Sequence, residues 1–139
     1  MKKRLIVYAL CLFAGGLTAC VSVPPVAKQE PNIIIIRNLS DTDLKSVYLS
    51  AAKTHSSQAV RFGSLSPVPR GVSQSVVRAR TAPPLSHELL LRWTDKFDRE
   101  FVQRFSISEL LSKATGADNE ALVFVIRPDN SLAVGIEYQ

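Results

Sequence analysis

Four arginines carry the first chemical signal in this chain. Arg61, Arg70, Arg78 and Arg80 fall, with Lys45 and Lys53, in a stretch from Leu44 to His87 that holds six basic residues and no acidic one. From Glu88 to Gln139 the balance reverses, to six basic against nine acidic residues. A guanidinium presents a planar fork of donors that matches phosphate and carboxylate oxygens. Arg78 and Arg80 are two residues apart, so on a strand they share a face, and Arg70 lies in the proline-bounded turn before them. Such a cluster suits anion recognition. The competing expectation is that these arginines pair with Glu88, Asp95 or Glu100 across neighbouring strands.

The remaining reactive residue types are sparse. His55 and His87 both stand beside serines in turn-like segments, but "GSLS" at Gly63–Ser66 is not a G-x-S-x-G nucleophile elbow. No cluster of His, Cys, Asp and Glu has the spacing of a metal site. "SDTD" lacks the glycine and the distal glutamate of a calcium loop, and no glycine-rich phosphate loop is present. Asp95, Asp98 and Glu100 alternate with Lys96 and Arg99 around a tight turn, as at a solvated hairpin end. The expectation is a protein that is not an enzyme and uses no cofactor and no metal.

Cys20 is different in kind. It ends "LIVYALCLFAGGLTAC", where a 15-residue uncharged run, Leu5–Ala19, follows the basic cluster Lys2, Lys3 and Arg4. A basic start, an apolar segment and small residues before a cut make an export signal, and the run falls short of the ~20 residues a membrane helix needs. "LTAC" resembles the lipobox of bacterial lipoproteins. The resemblance implies cleavage before Cys20, a diacylglycerol on its sulfur and a further acyl chain on its amine. One chain anchors only marginally, at ~0.8 kcal/mol per buried CH₂, whereas two or three hold firmly. By the same resemblance to bacterial lipoproteins, in which aspartate after the cysteine retains the protein in the inner membrane, Val21 implies the outer membrane, with the domain facing the periplasm or the cell surface. Cys11 leaves with the signal, so no disulfide is expected in the mature chain.

Removing the signal also removes three of the charges behind the net +5. The remainder holds 14 basic and 12 acidic residues, which takes away the main reason to expect a nucleic-acid partner. The expected organisation is a signal peptide over 1–19, a lipidated proline-containing tether over 20–31, and one domain over 32–139.

That domain reads as strands. "NIIIIRN" is a β-branched run between turn formers, and "LKSVYLSA" alternates with a period of two. "QAVRFGSL" places Val60 and Phe62 on one face. "VSQSVVRAR" is a weak strand suited to an edge, with Ser73, Ser75, Val77 and Ala79 on one face and Val76, Arg78 and Arg80 on the other. "ELLLRWTD" and "REFVQRFSI" form a hairpin. "SELLSKA" offers Ser108 as a helix cap for one or two turns. "ALVFVIRPDNSLAVGIEY" is a second hairpin, turning at "PDNS", whose unbroken first strand is covered on both faces. About eight antiparallel strands with one short helix predict an all-β, immunoglobulin-like or transthyretin-like sandwich. Its core should hold Leu89, Leu91, Trp93, Phe101, Phe105, Val123, Val125 and Ile136.

The whole arrangement resembles small bacterial outer-membrane lipoproteins made of a signal, a tether and one β-sandwich domain. The function expected is a non-catalytic accessory or adaptor that binds a periplasmic or outer-membrane protein partner. The alternatives are a binding module for lipopolysaccharide, phospholipid or peptidoglycan through Arg61, Arg70, Arg78 and Arg80, or an inhibitor or immunity protein.

Overall fold

The computed structural model describes residues 30–52, 61–79 and 81–139, with Arg61 described by its backbone alone. The expected signal, Cys20, the tether as far as residue 29, His55, Val60 and Arg80 lie outside the described residues. The chain runs β1 (Ile33–Asn38), β2 (Leu44–Ala51), β3 (Arg61–Leu65), β4 (Ser73–Val77), β5 (Glu88–Asp95), β6 (Glu100–Ser106), α1 (Ser108–Lys113), β7 (Glu120–Ile126) and β8 (Leu132–Tyr138). Two four-stranded sheets result, ordered β4-β1-β7-β8 and β3-β2-β5-β6. This is the all-β sandwich with one short helix that the alternating runs predict.

Both expected hairpins form, β5 with β6 and β7 with β8, and β4 takes the edge position its weak pattern suits. One pairing departs from an antiparallel sandwich: β1 and β7 run parallel, Ile33 opposite Ala121 through Asn38 opposite Ile126. A parallel pair needs a long crossover, and here the whole of the second sheet lies in the chain between the two strands. Both are central in their sheet, which is why each reads as a continuous apolar run rather than an alternation.

Alternation does set the inner face of the second sheet. Leu89, Leu91 and Trp93 are buried between the sheets, and Asp95 follows in the same phase. In β2 a register shift between Leu44 and Ser46 lets Leu44 as well as Val47 reach the core. Phe101, Phe105 and Ile136 pack against this core from the rims as half-buried side chains. Val123 and Val125 do not belong to it. They sit on the outer face of the first sheet with Ile33, Ile35 and Ala121, while Leu122, Phe124 and Ile126 point inward. An unbroken apolar run has no period from which to choose a face.

The helix cap also differs from expectation. The cap position is Ile107, drawn fully into the core, and no side chain caps the helix; Ser108 is its first residue.

Candidate functional site

Following the pairings, each strand reverses direction, so the connections fall into two groups at opposite ends of the sandwich. The chain enters at Glu30 and Pro31, beside the start of β1, at the end that also holds the segment between β4 and β5 and helix α1. Residues 39–43, 66–72, 96–99 and 127–131 gather at the other end.

At the entry end sits Arg78. It continues the inward phase of Gln74 and Val76 just past the last residue of β4, and the residue is 8% exposed. Its guanidinium donates to the Glu30 carboxylate (3.4 Å), to the Pro31 carbonyl (3.4 Å) and to the Pro83 carbonyl (2.5 Å), and lies 5.7 Å from the centre of the Phe62 ring. The Glu30 carboxylate also accepts from the Leu85 N–H, at 2.8 Å. One arginine therefore ties the start of the domain to the proline-rich segment before β5.

The four arginines are not brought into one described cluster. Arg78 is engaged internally; Arg70 is exposed on the turn at the opposite end, its backbone N–H bonded to Asp43 Oδ1 at 2.8 Å. The Arg61 side chain and Arg80 lie outside the described residues. Two of the acidic residues named as cross-strand partners pair elsewhere: Glu100 with Arg92 at 3.0 Å and Asp95 with Arg99 at 2.7 Å. His87, exposed, has Nδ1 3.2 Å from Ser108 Oγ, and among the described residues no carboxylate bonds to its ring. No metal-binding group of His, Cys, Asp and Glu occurs among the described residues, and none of their helices is long and apolar enough to cross a membrane.

The loop end is built around two buried polar side chains. Asn38, fully buried, donates through Nδ2 to the carbonyls of Thr42 (2.9 Å) and Val68 (3.0 Å), and its Oδ1 accepts from the Ser40 N–H and hydroxyl. Its own N–H bonds the Val72 carbonyl, its carbonyl accepts from Gly71, and the next N–H, of Leu39, bonds the Ile126 carbonyl. Gly71 takes a positive φ of 74°, a conformation that glycine supplies without a Cβ clash. The Asp43 carbonyl accepts from Lys96. Three separate connections are thus fastened to one another.

Asp95 organises the third of these connections, the β5–β6 turn. Its Oδ1 accepts from the N–H groups of Phe97 (2.8 Å) and Arg99 (3.0 Å), and its Oδ2 from Arg99 Nε (2.7 Å). Burial opposes ionisation of this carboxyl, but the Arg99 and Phe97 N–H groups and the Arg99 guanidinium outweigh it and hold the pKa below its ordinary value of 3.8. Asp98 absorbs the reversal at a positive φ of 63°, which aspartate tolerates better than most residues. Its carboxylate pairs with Lys45 at 2.5 Å.

The result is a ladder of rings and cations running from core to surface. Buried Trp93 stacks on Phe101 (5.5 Å between centres, 14° between planes). Arg99 lies 5.9 Å from the Phe101 ring and 5.4 Å from Phe97, and Lys96 stands 5.1 Å from the same Phe97 ring. Phe97 is 62% exposed. The arrangement reaches the surface at the β5–β6 turn. It displays an aromatic ring and a guanidinium in a fixed pose, residue types enriched where binding energy concentrates.

Phe97, Arg99 and Asn38 are not marked as binding or organising residues by any motif in the sequence. The available signal was an aromatic residue in a charged tight turn, "TDKFD", with no phase that could bury it.

No family model and no curated protein matches this sequence. Among solved structures the chain is similar to the NMR structure of a protein from Eubacterium rectale, with a TM-score of 0.46 and 10% identity over 81% of this chain and 94% of that one. Likeness at that level carries no function across.

Proposed function

We propose that this chain is a non-catalytic, lipid-anchored envelope protein that holds a protein partner through the loop end of its sandwich. The observation that carries this reading is the display of Phe97 and Arg99 on a turn fixed by Asp95. An exposed phenylalanine costs solubility without helping the fold, whereas a rigid aromatic flanked by cations loses little freedom on binding. Support for the anchor comes from the likeness of Leu17–Cys20 to a lipobox, and an anchor there joins the domain on its Glu30 side. The partner-facing end then lies away from the point of attachment. Internal engagement of Arg78 tells against the four-arginine anion site as the main function.

Pull-down of the membrane-anchored protein after crosslinking in intact cells tests this reading. Wild-type chain should bring down a stoichiometric protein, and Phe97→Ala should lower its recovery by about tenfold or more. Equal recovery with both chains, or recovery of lipopolysaccharide and cell-wall fragments without a protein, would refute it.

A further inference from the structure

The two sides of the sandwich are finished differently. On one side the edge strands β3 and β4 lie against each other. There the Cβ direction of Gly63 meets the Val76 side chain at 3.8 Å. The apolar void beside them is about 10 Å³, the size of one water. On the other side the edges are β6 and β8. Strand β6 carries Glu100 and Arg104 on its outer face, charges that discourage edge pairing. Strand β8, "LAVGIEY", has no lysine, no proline and no register shift along its pairing with β7. Its inward side chains Leu132, Val134 and Ile136 pack on the core yet remain half-buried. Such an edge offers a row of backbone groups and an unfinished apolar rim to another strand.

We propose that β8 pairs antiparallel with β8 of a second copy, joining two four-stranded sheets into one of eight about a two-fold axis at Gly135. The sequence of the strand supports this occupant over others. Centred on Gly135, self-pairing sets Leu132 opposite Tyr138 and Val134 opposite Ile136 on the inner face, and Ala133 opposite Glu137 on the outer face. Every inner-face pair is apolar or aromatic, the kind that stabilises sheets. The one charge on the strand, Glu137, meets alanine rather than its own copy, and it is held by Arg37 through two 3.0 Å bonds that span β7. Gly135 puts no side chain on the axis. The interface is isologous, so it closes at two and does not propagate.

Antiparallel joining sends the two chain entries to opposite ends of the shared strand. Seven residues span about 24 Å. Residues 21–29 reach at most about 30 Å when extended, so both copies can be anchored in one membrane. The joined edge is β8, whereas the proposed partner site is on the β5–β6 turn of the other sheet, so this inference stands apart from it.

Gly135→Cys in the full-length, lipidated chain tests it, because directly opposed residues bring Cβ atoms to about 4.5–5.5 Å, close to disulfide range. Space at Gly135 is open, with nothing within 4 Å of an added Cβ. Mild oxidation of intact cells should give a covalent homodimer, while Val102→Cys on β6 should give little. Gly135→Lys, which opposes two like charges on the axis, should raise the dimer dissociation constant roughly tenfold or more in sedimentation of the detergent-solubilised protein, with its far-ultraviolet circular dichroism unchanged. Equal linking through Gly135→Cys and Val102→Cys, linking of Gly135→Cys to a different protein, or a monomeric wild-type chain in sedimentation would each overturn the proposal.

Discussion

Arg78–Glu30 at one end of the sandwich and Arg99–Asp95 at the other use the same pairing of guanidinium and carboxylate in opposite ways. In the first the guanidinium is the buried partner, at 5% exposure against 25% for the carboxylate. In the second the carboxylate is buried, at 2%, and the guanidinium is 57% exposed. A buried arginine that donates to oxygens of its own protein holds architecture and offers nothing outward. A buried carboxylate fixes one edge of its guanidinium and leaves the plane free to stack on rings and face a partner. Whether a charged residue is available to a ligand therefore depends on which member of its pair the strand phase turns inward.

The largest effect should come from breaking the inward cation. Arg78→Ala leaves the Pro31 and Pro83 carbonyls and Glu30 without this donor. It should cost about 3 kcal/mol in urea unfolding. A cost below about 0.5 kcal/mol, ordinary for a surface site, would show that the entry end is held by something else.

A smaller loss is expected from Asp95→Asn, which keeps the shape but removes the charge beneath Arg99. This loss should depend on pH. The folded pKa of Asp95 lies below its ordinary value of 3.8, so its contribution is fully present above that value and is lost as pH falls through the lower folded one. The unfolding midpoints of wild type and Asp95→Asn should therefore differ at pH 7 and converge as pH falls below about 3.8. Glu120 adds acid sensitivity to both proteins alike. Its burial is outweighed by the N–H groups of Thr115 and Gly116 and by the Tyr138 and Thr115 hydroxyls, which hold its pKa below 4.5. A difference that is constant with pH would mean that Asp95 acts through packing alone.

The smallest effect on stability belongs to Phe97→Ala, whose side chain is mostly exposed. The change should stay within about 0.5 kcal/mol, as at other surface sites. A loss of several kcal/mol would recast the ring as part of the fold rather than of a binding surface.

Much of the frame was legible in the residues. The two hairpins follow from alternation and from "PDNS", and β4 was marked as an edge by its serines. The phase of Arg78 was legible too: it shares a face with Val76, and Val76 packs toward Gly63 between the sheets. Arg78 therefore goes with the core, while Arg80, two residues on, lies outside the described residues. The assignment of Val123 and Val125 failed because β7 has no polar residue between Ala121 and Ile126 to set its phase. The loop end was not legible. Asn38 bonds across 30 residues to Val68, and Asp43 meets both Arg70 and Lys96, contacts that exist only once the two sheets have closed.

In the proposed function the loop end, not the entry end, faces the partner. Photo-crosslinking residues placed singly at Phe97 and at Glu109, an exposed site on α1, compare the two directly in living cells. A discrete protein adduct is expected from position 97 and none from 109. An adduct from 109 with none from 97 would contradict it.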